Sequence, residues 1–328
     1  MKSIIPGSKR DNIISVQQQG TRFTRILGKY GLQWMLLLVL LSLGIANVNF
    51  RQLPNIQNIL LQSSFVGIGA AGMTFLMISG AIDLSVAGLL GLCGVALAKI
   101  EPRVGIIPAI IIVFIIGAVM GMISGLVVTK IRIPAFIATL GMNYIYLGVA
   151  FIWTNGQVIS VTKKGFRSLS TGNVVGIPKP FLMMIAIYLL CYGILRFTTY
   201  GRYIRAVGSN ETASNVAGLP TDRVRIFAFM VVGLCTALAG ILLTGMLSSA
   251  NPIMATGYEL NVIAAAVMGG TSLSGGQGTL LGSLTGAIFF TVINNALNMF
   301  GVGAYWQYIV VGLILITALA IKAIHKSL

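Results

Sequence analysis

Charged side chains are scarce here: Asp, Glu, Lys and Arg make up 9% of the 328 residues, where a soluble domain carries about 25%. A chain so poor in charge cannot cover a water-facing surface. Acidic residues are scarcer still, six in all (Asp11, Asp83, Glu101, Glu211, Asp222, Glu259), and histidine occurs once, at His325. The acids form no close pair and the histidine stands in the C-terminal tail, so no acid–base constellation is legible and catalysis by this chain is not expected. The same scarcity speaks against a proton-driven pump with a dense intramembrane relay. The three cysteines, Cys93, Cys191 and Cys235, each sit in an apolar run without pairing or metal spacing. They read as small buried hydrophobes, and no metal site is expected.

What is abundant is apolar. Hydrophobic residues make up 56% of the chain, mean hydropathy is +0.94, and 40 glycines stand against 9 prolines, a composition that suits closely packed membrane helices. Apolar runs and their breakers place spans near 32–48, 59–80, 84–100, 105–129, 134–154, 180–197, 226–247, 259–271, 279–298 and 304–322. The expectation is an all-α integral membrane protein of about ten transmembrane helices, some short or broken. An eight-span arrangement with re-entrant pieces stays open, because the second and third runs are split only by GAIDLSVAG at Gly80–Gly88. Residues 1–30 are polar and basic, too long for a signal peptide and lacking a clean small-x-small cleavage site, and read as a cytoplasmic tail. The spans occupy a single domain, 31–323, followed by a short tail at 324–328.

The net charge of +16 does not point to nucleic acid, because Lys and Arg punctuate hydrophobic segments instead of clustering on a soluble face. With the N-terminus inside, fifteen of the 22 Lys and Arg fall on the cytoplasmic side and seven outside. That asymmetry places both termini in the cytoplasm. It leaves an outer loop at 155–179 and a polar, arginine-rich inner loop at 198–225.

Asp83 lies between two apolar runs, where a charge costs roughly 2.5 to 3.5 kcal/mol on insertion scales. It reads either as a gating residue or, preferably, as the N-cap of a helix beginning near Leu84, with Ser85 beside it. Gly117, Gly121 and Gly125, and again Gly282 and Gly286, recur every four residues and so let helix backbones approach closely. The partner helix could belong to the same chain or to a second copy. Asn143, Asn294 and Asn298 could line a polar path or bond between helices, the commoner use. Leu273–Gln277 reads LSGGQ, the signature string of ABC ATPases, yet the chain has no G-x-x-x-x-G-K-[ST] phosphate loop. The string is therefore expected to be a flexible glycine turn between two spans.

The inner segment GRYIRAVGSNETASNVAGLPTDRVR, Gly201–Arg225, resembles the coupling segment of ribose-type ABC permeases. Four further stretches are similar to that family's blocks in the same order: GMTFLMISGAIDLSVAG at Gly72–Gly88, IPAFIATLGM at Ile133–Met142, Ser248–Gly282, and NNALNMFGVGAYWQYIVVG at Asn294–Gly312. Ala81 and Ala87 depart from the pattern, where a glycine is common at each. The resemblance implies the membrane subunit of a monosaccharide importer in the bacterial inner membrane. It would pair with a second permease copy or a similar permease, receive sugar from a periplasmic binding protein, and be driven by separate ATPase subunits. ATP and Mg would be held by those partners, and this chain would carry no cofactor. The same resemblance assigns the ATPase-coupling role to Gly201, Arg202, Arg205, Asn210, Glu211, Ala213, Ala217 and Gly218, with 210–218 a short helix and Glu211 at its favourable N-terminal end. A standalone carrier or channel is the rival reading, disfavoured by sparse intramembrane charge. A non-transporting scaffold is a third, opposed mainly by the resemblance. The particular sugar is not legible.

Overall fold

A computed structural model describes residues 31–161, 164–303, 305–310, 312–313 and 316–317. The tails at 1–30 and 324–328 and the end of the span expected at 304–322 lie outside the described residues. The helices are α1 Gly31–Ala46, α2 Leu53–Ile78, α3 Val86–Val104, α4 Ile106–Lys130, α5 Ala135–Thr154, α6 Lys164–Thr171, α7 Lys179–Phe197, α8 Thr199–Ser209, α9 Glu211–Val216, α10 Thr221–Leu247, α11 Tyr258–Met268 and α12 Leu280–Met299. Two minute antiparallel pairs accompany them, Ile159–Ser160 with Ser249–Ala250 and Asn173–Val174 with Ile177–Pro178. The class is all-α.

Among the described residues, α2, α4, α5, α7, α10 and α12 are long and apolar enough to cross a membrane, while α1 and α11 are apolar but shorter. α3 has 19 residues, but Lys99, Glu101 and Arg103 crowd its last turns. Where expected runs and helices differ, polar residues explain it. α2 starts at Leu53, with Pro54 in its first turn, because Asn55, Gln57 and Asn58 hide the helical start from an apolar reading. α10 likewise takes in Thr221–Arg225.

The segments expected as plain loops carry structure of their own. Within 155–179, α6 buries Phe166 and Ser170 against α10. Within 198–225, α8 buries Ile204 and Val207 on one side. The LSGGQ turn is not the flexible link that its glycines suggested. Gly275 and Gly276 sit at φ +89° and +74°, the Gly276 N–H donates to the Ile78 carbonyl at 2.9 Å, and a Cβ on Gly275 would lie 2.8 Å from the Gly80 Cα. Positive φ and close approach both demand glycine, so the turn is pinned.

α2 and α10 form the centre. α10 packs on α4, α2 and α3, and α2 packs also on α12, α7 and α11. The outer helices leave rows of large apolar side chains exposed, among them Ile107, Ile111, Ile115 and Val119 on α4 and Phe136, Leu140 and Ile145 on α5. A protein in water does not leave such surfaces bare, whereas lipid covers them.

The four-residue glycine ladders pack within the chain. Gly117, Gly121 and Gly125 let α4 lie directly on α10: a Cβ on Gly117 would come 2.6 Å from both the Ala237 Cβ and the Gly233 carbonyl oxygen, and one on Gly121 would strike the Phe229 carbonyl. Gly282 and Gly286 meet the backbone of Gly269 and Ala265, at the end of α11, in the same way. Gly121→Leu is expected to lower stability in a thermal unfolding assay in detergent by about 1–3 kcal/mol or more through overpacking. Gly141→Leu on α5, where nothing lies within 4 Å, should change it by less than about 0.5 kcal/mol.

Candidate coupling surface and solute path

At one end of the bundle α8, α9 and the start of α10 form a compact step. Thr198 caps α8 by accepting from the Gly201 N–H at 3.3 Å, and Asn210 caps α9 by accepting from the Ala213 N–H at 2.9 Å. Gly218, at φ +78°, ends the turn after Ala217, and Pro220 precedes α10. Tyr200 ties α8 to its neighbours: its hydroxyl donates to the Val224 carbonyl, its ring stacks over Phe75 at 6.0 Å, and its edge meets Phe227 at 4.5 Å.

α9 is oriented by a fork of charge. Arg225 donates to both Glu211 carboxylate oxygens, at 3.0 and 2.9 Å, a bidentate geometry stronger than a single ion pair. One turn on, the Thr221 hydroxyl donates to the Asn215 side-chain oxygen at 2.7 Å. Lys130 and Asp222 pair across the same region at 2.7 Å. These side chains line a cavity of about 1060 Å³ between the α4–α5 connection, α9 and the start of α10. Outward, α9 shows Ala213, Val216 and Ala217 to solvent, with Val216 86% exposed, while Ser214 is buried. Arg202 and Arg205 project from the exposed side of α8.

α8 ends against the core. A Cβ on Gly208 would collide with the Ile78 carbonyl and lie 2.7 Å from the Gly276 nitrogen. The C-terminus of α2, the 275–276 turn leading to α12, and the last residues of α8 therefore touch backbone to backbone.

Asp83, Ser85 and Asn143 come together in a second cluster, around the start of α3. The Asp83 carboxylate accepts from the Ser85 N–H at 2.7 Å and the Ser85 hydroxyl at 2.5 Å. Thr139 accepts from the Leu84 N–H at 3.0 Å, and Asn143 accepts from the Gly88 N–H at 2.7 Å. Three side chains, two of them from α5, satisfy donors at or just before a helix N-terminus that has no partners of its own. The helix begins at Val86, and Asp83 lies two residues before its cap position, fully buried with Oδ2 unpartnered. Asn294 and Asn298 are not part of this cluster. They lie on α12 beside α2 and α11, where Asn298 accepts from Gln307 at 2.7 Å.

Reading the sequence did not single out Thr139, Asn215 or Arg225. Arg225 stands fourteen residues after Glu211, a spacing with no helical signal, and only the reversal of direction between α9 and α10 brings the two together.

A family model described as a branched-chain amino acid transport system permease component matches residues 55–319. The chain belongs to this permease family. It is 39% identical over 288 residues to the ribose import permease protein RbsC of Haemophilus influenzae, covering 86% of this chain and 89% of that protein. It is 37% identical over 308 residues to RbsC of Bacillus subtilis, covering 93% and 96%. The L-arabinose transport system permease protein AraH of Escherichia coli is 34% identical over 300 residues, 90% of each chain. No solved structure matches. The chain is thus a multi-pass membrane permease, a transport subunit and not a catalyst, of a family that implies ATPase and binding-protein partners in general. Among the described residues no group of three or more His, Cys, Asp or Glu could hold a metal.

Asn143→Leu should leave the buried Gly88 N–H unpaired and lower permease stability by about 1–3 kcal/mol, read as an earlier unfolding midpoint in detergent. Tyr144→Leu, one position along and facing outward at 68% exposure, should leave that midpoint within about 0.5 kcal/mol of wild type.

Proposed function

We propose that this permease is the membrane subunit of an ABC importer for a small sugar in the bacterial inner membrane. The observation that carries the reading is α9, a short exposed helix with an apolar outer face, locked to α10 by Arg225 and backed by the junction of Gly208, Ile78 and Gly276. A helix presented in this way suits a cleft in an ATPase subunit, and anything that moves it pulls on α10 and α2, the two central helices. Gly201, Arg202, Arg205, Asn210, Glu211, Ala213, Ala217 and Gly218 are the coupling residues on this reading.

The wider assignment has ten spans within 31–323, both termini cytoplasmic, α8 and α9 on the inner side, and the 155–179 segment outside. Two permease chains, identical or similar, sit on two ATPase subunits that hold ATP and Mg, and a periplasmic protein delivers the sugar. ATP binding closes the ATPase pair, α9 transmits the movement, and the permease pair alternates access to a central path. Asn294 and Asn298 belong to that path, while Asp83, Ser85 and Asn143 hold the bend between α2 and α3. Sugar is favoured over amino acid as cargo because the compared relatives are named for ribose and arabinose.

The test is ATPase activity of the assembled complex in lipid with sugar-loaded binding protein. Glu211→Arg sets two cations against each other and should cut the stimulation about tenfold, the equivalent of about 1.4 kcal/mol. The charge-reversed pair Glu211→Arg with Arg225→Glu should recover much of it. If the chain associates with no ATPase, or moves sugar alone, the importer reading fails and a standalone carrier takes its place.

A further inference from the structure

A second cavity, of about 300 Å³, opens between α2, α11 and α12. Six amides line it: Asn58 and Gln62 one turn apart on α2, Asn294, Asn295 and Asn298 on α12, and Asn261 on α11. Phe290 forms part of the apolar wall.

Asn295 and Asn298 are bonded to Asn55 and Gln307, but neither contact with lipid nor bonding between helices accounts for Asn58, Gln62, Asn261 and Asn294. Asn58 and Gln62 are exposed on a helix that crosses the membrane, and hydrocarbon offers an amide no hydrogen bonds, so this face does not look into lipid. Interhelical amide bonding does occur on the same two helices, in the reciprocal pair Asn55 with Asn295 at 2.9 and 3.2 Å. By contrast the side chains of Asn58, Gln62, Asn261 and Asn294 bond to no other described residue. A polar, unpaired, concave surface inside a membrane bundle calls for water or a polar ligand to complete its hydrogen bonds.

Its chemistry narrows the ligand. Each amide offers two N–H donors and a carbonyl acceptor, the complement of neighbouring hydroxyl groups that both give and take hydrogen bonds. No ionisable side chain lines the cavity, so the carboxylate and ammonium of an amino acid would enter without partners. The volume is at the lower limit of small-molecule sites, suited to one ring and not to a chain of them. We propose that this cavity is a binding site for a single uncharged polyhydroxylated ring, a monosaccharide, with Asn58, Gln62, Asn261 and Asn294 as its hydrogen-bonding residues. The proposal deepens the importer reading and rests on it for the direction of passage, but the cavity's preference for a neutral polyol is its own claim.

Cysteine labelling tests it without any need for transport. The native cysteines Cys93, Cys191 and Cys235 are buried, so Gln62→Cys and Asn294→Cys can be introduced singly and treated with a charged, membrane-impermeant maleimide in the assembled complex in lipid. Both should react, whereas Ile115→Cys, exposed at the middle of α4, should not. D-ribose or L-arabinose present at about twice its Kd should slow the reaction about threefold, since the rate falls by 1 + [L]/Kd, and L-leucine should leave it unchanged. Failure of both positions to react would mean that a second permease chain covers this face, and would overturn the proposal. So would labelling that neither sugar slows, or that leucine slows as well. Sugar protection in a chain that binds no ATPase would sustain the site while removing the importer reading.

Discussion

Inside a bilayer a polar group that finds no partner in the protein finds none at all, and most of this molecule's architecture answers to that constraint. Several hydroxyls within the spans bend back to their own helix: Ser64 donates to the Leu60 carbonyl, Thr129 to Gly125, Thr154 to Ala150 and Thr291 to Ala287. Buried phenols are paired as well, Tyr146 with Ser124 and the Met120 carbonyl, and Tyr258 with the Phe65 carbonyl. The start of α3 is the costliest place, since a broken helix exposes several backbone donors at once. Asp83, Thr139 and Asn143 supply the missing acceptors there. Amides that obey no such pairing stand out for that reason, and they gather in one cavity between α2, α11 and α12.

Association of the helices needs a second device, because lipid tails are as apolar as leucine and give no hydrophobic incentive to pack. Removing side chains at the crossings lets backbones touch and recovers dispersion contacts over a long seam. The α4–α10 crossing at Gly117, Gly121 and Gly233 and the α11–α12 crossing at Gly269, Gly282 and Gly286 share this solution. A rigid centre of α2 and α10 results, wrapped by helices whose outer faces are plain hydrocarbon.

That rigidity gives the α8–α9 step its significance. α9 is held to α10 by a bidentate ion pair, and α8 just before it ends on a close backbone contact of Gly208 with Ile78 and Gly276. On the importer reading proposed above, a push on α9 would reach α10 through Arg225 and α2 through the end of α8.

The class of the protein, the positions of nine apolar helices and the family were legible in the sequence. They depend on composition, on local periodicity, and on motifs that lie close together along the chain. The close-packing role of Gly117, Gly121 and Gly125 was legible too, since spacing by four marks one helix face, but the identity of the facing helix was not. Only the tertiary structure decided that α10 is that partner, that Asn143 serves the start of α3 while Asn294 faces a cavity, that the LSGGQ glycines are pinned against Ile78 and Gly208, and that Glu211 belongs to Arg225. Each of these joins residues from separate elements, and the distance along a chain carries no record of which faces meet once the helices have packed.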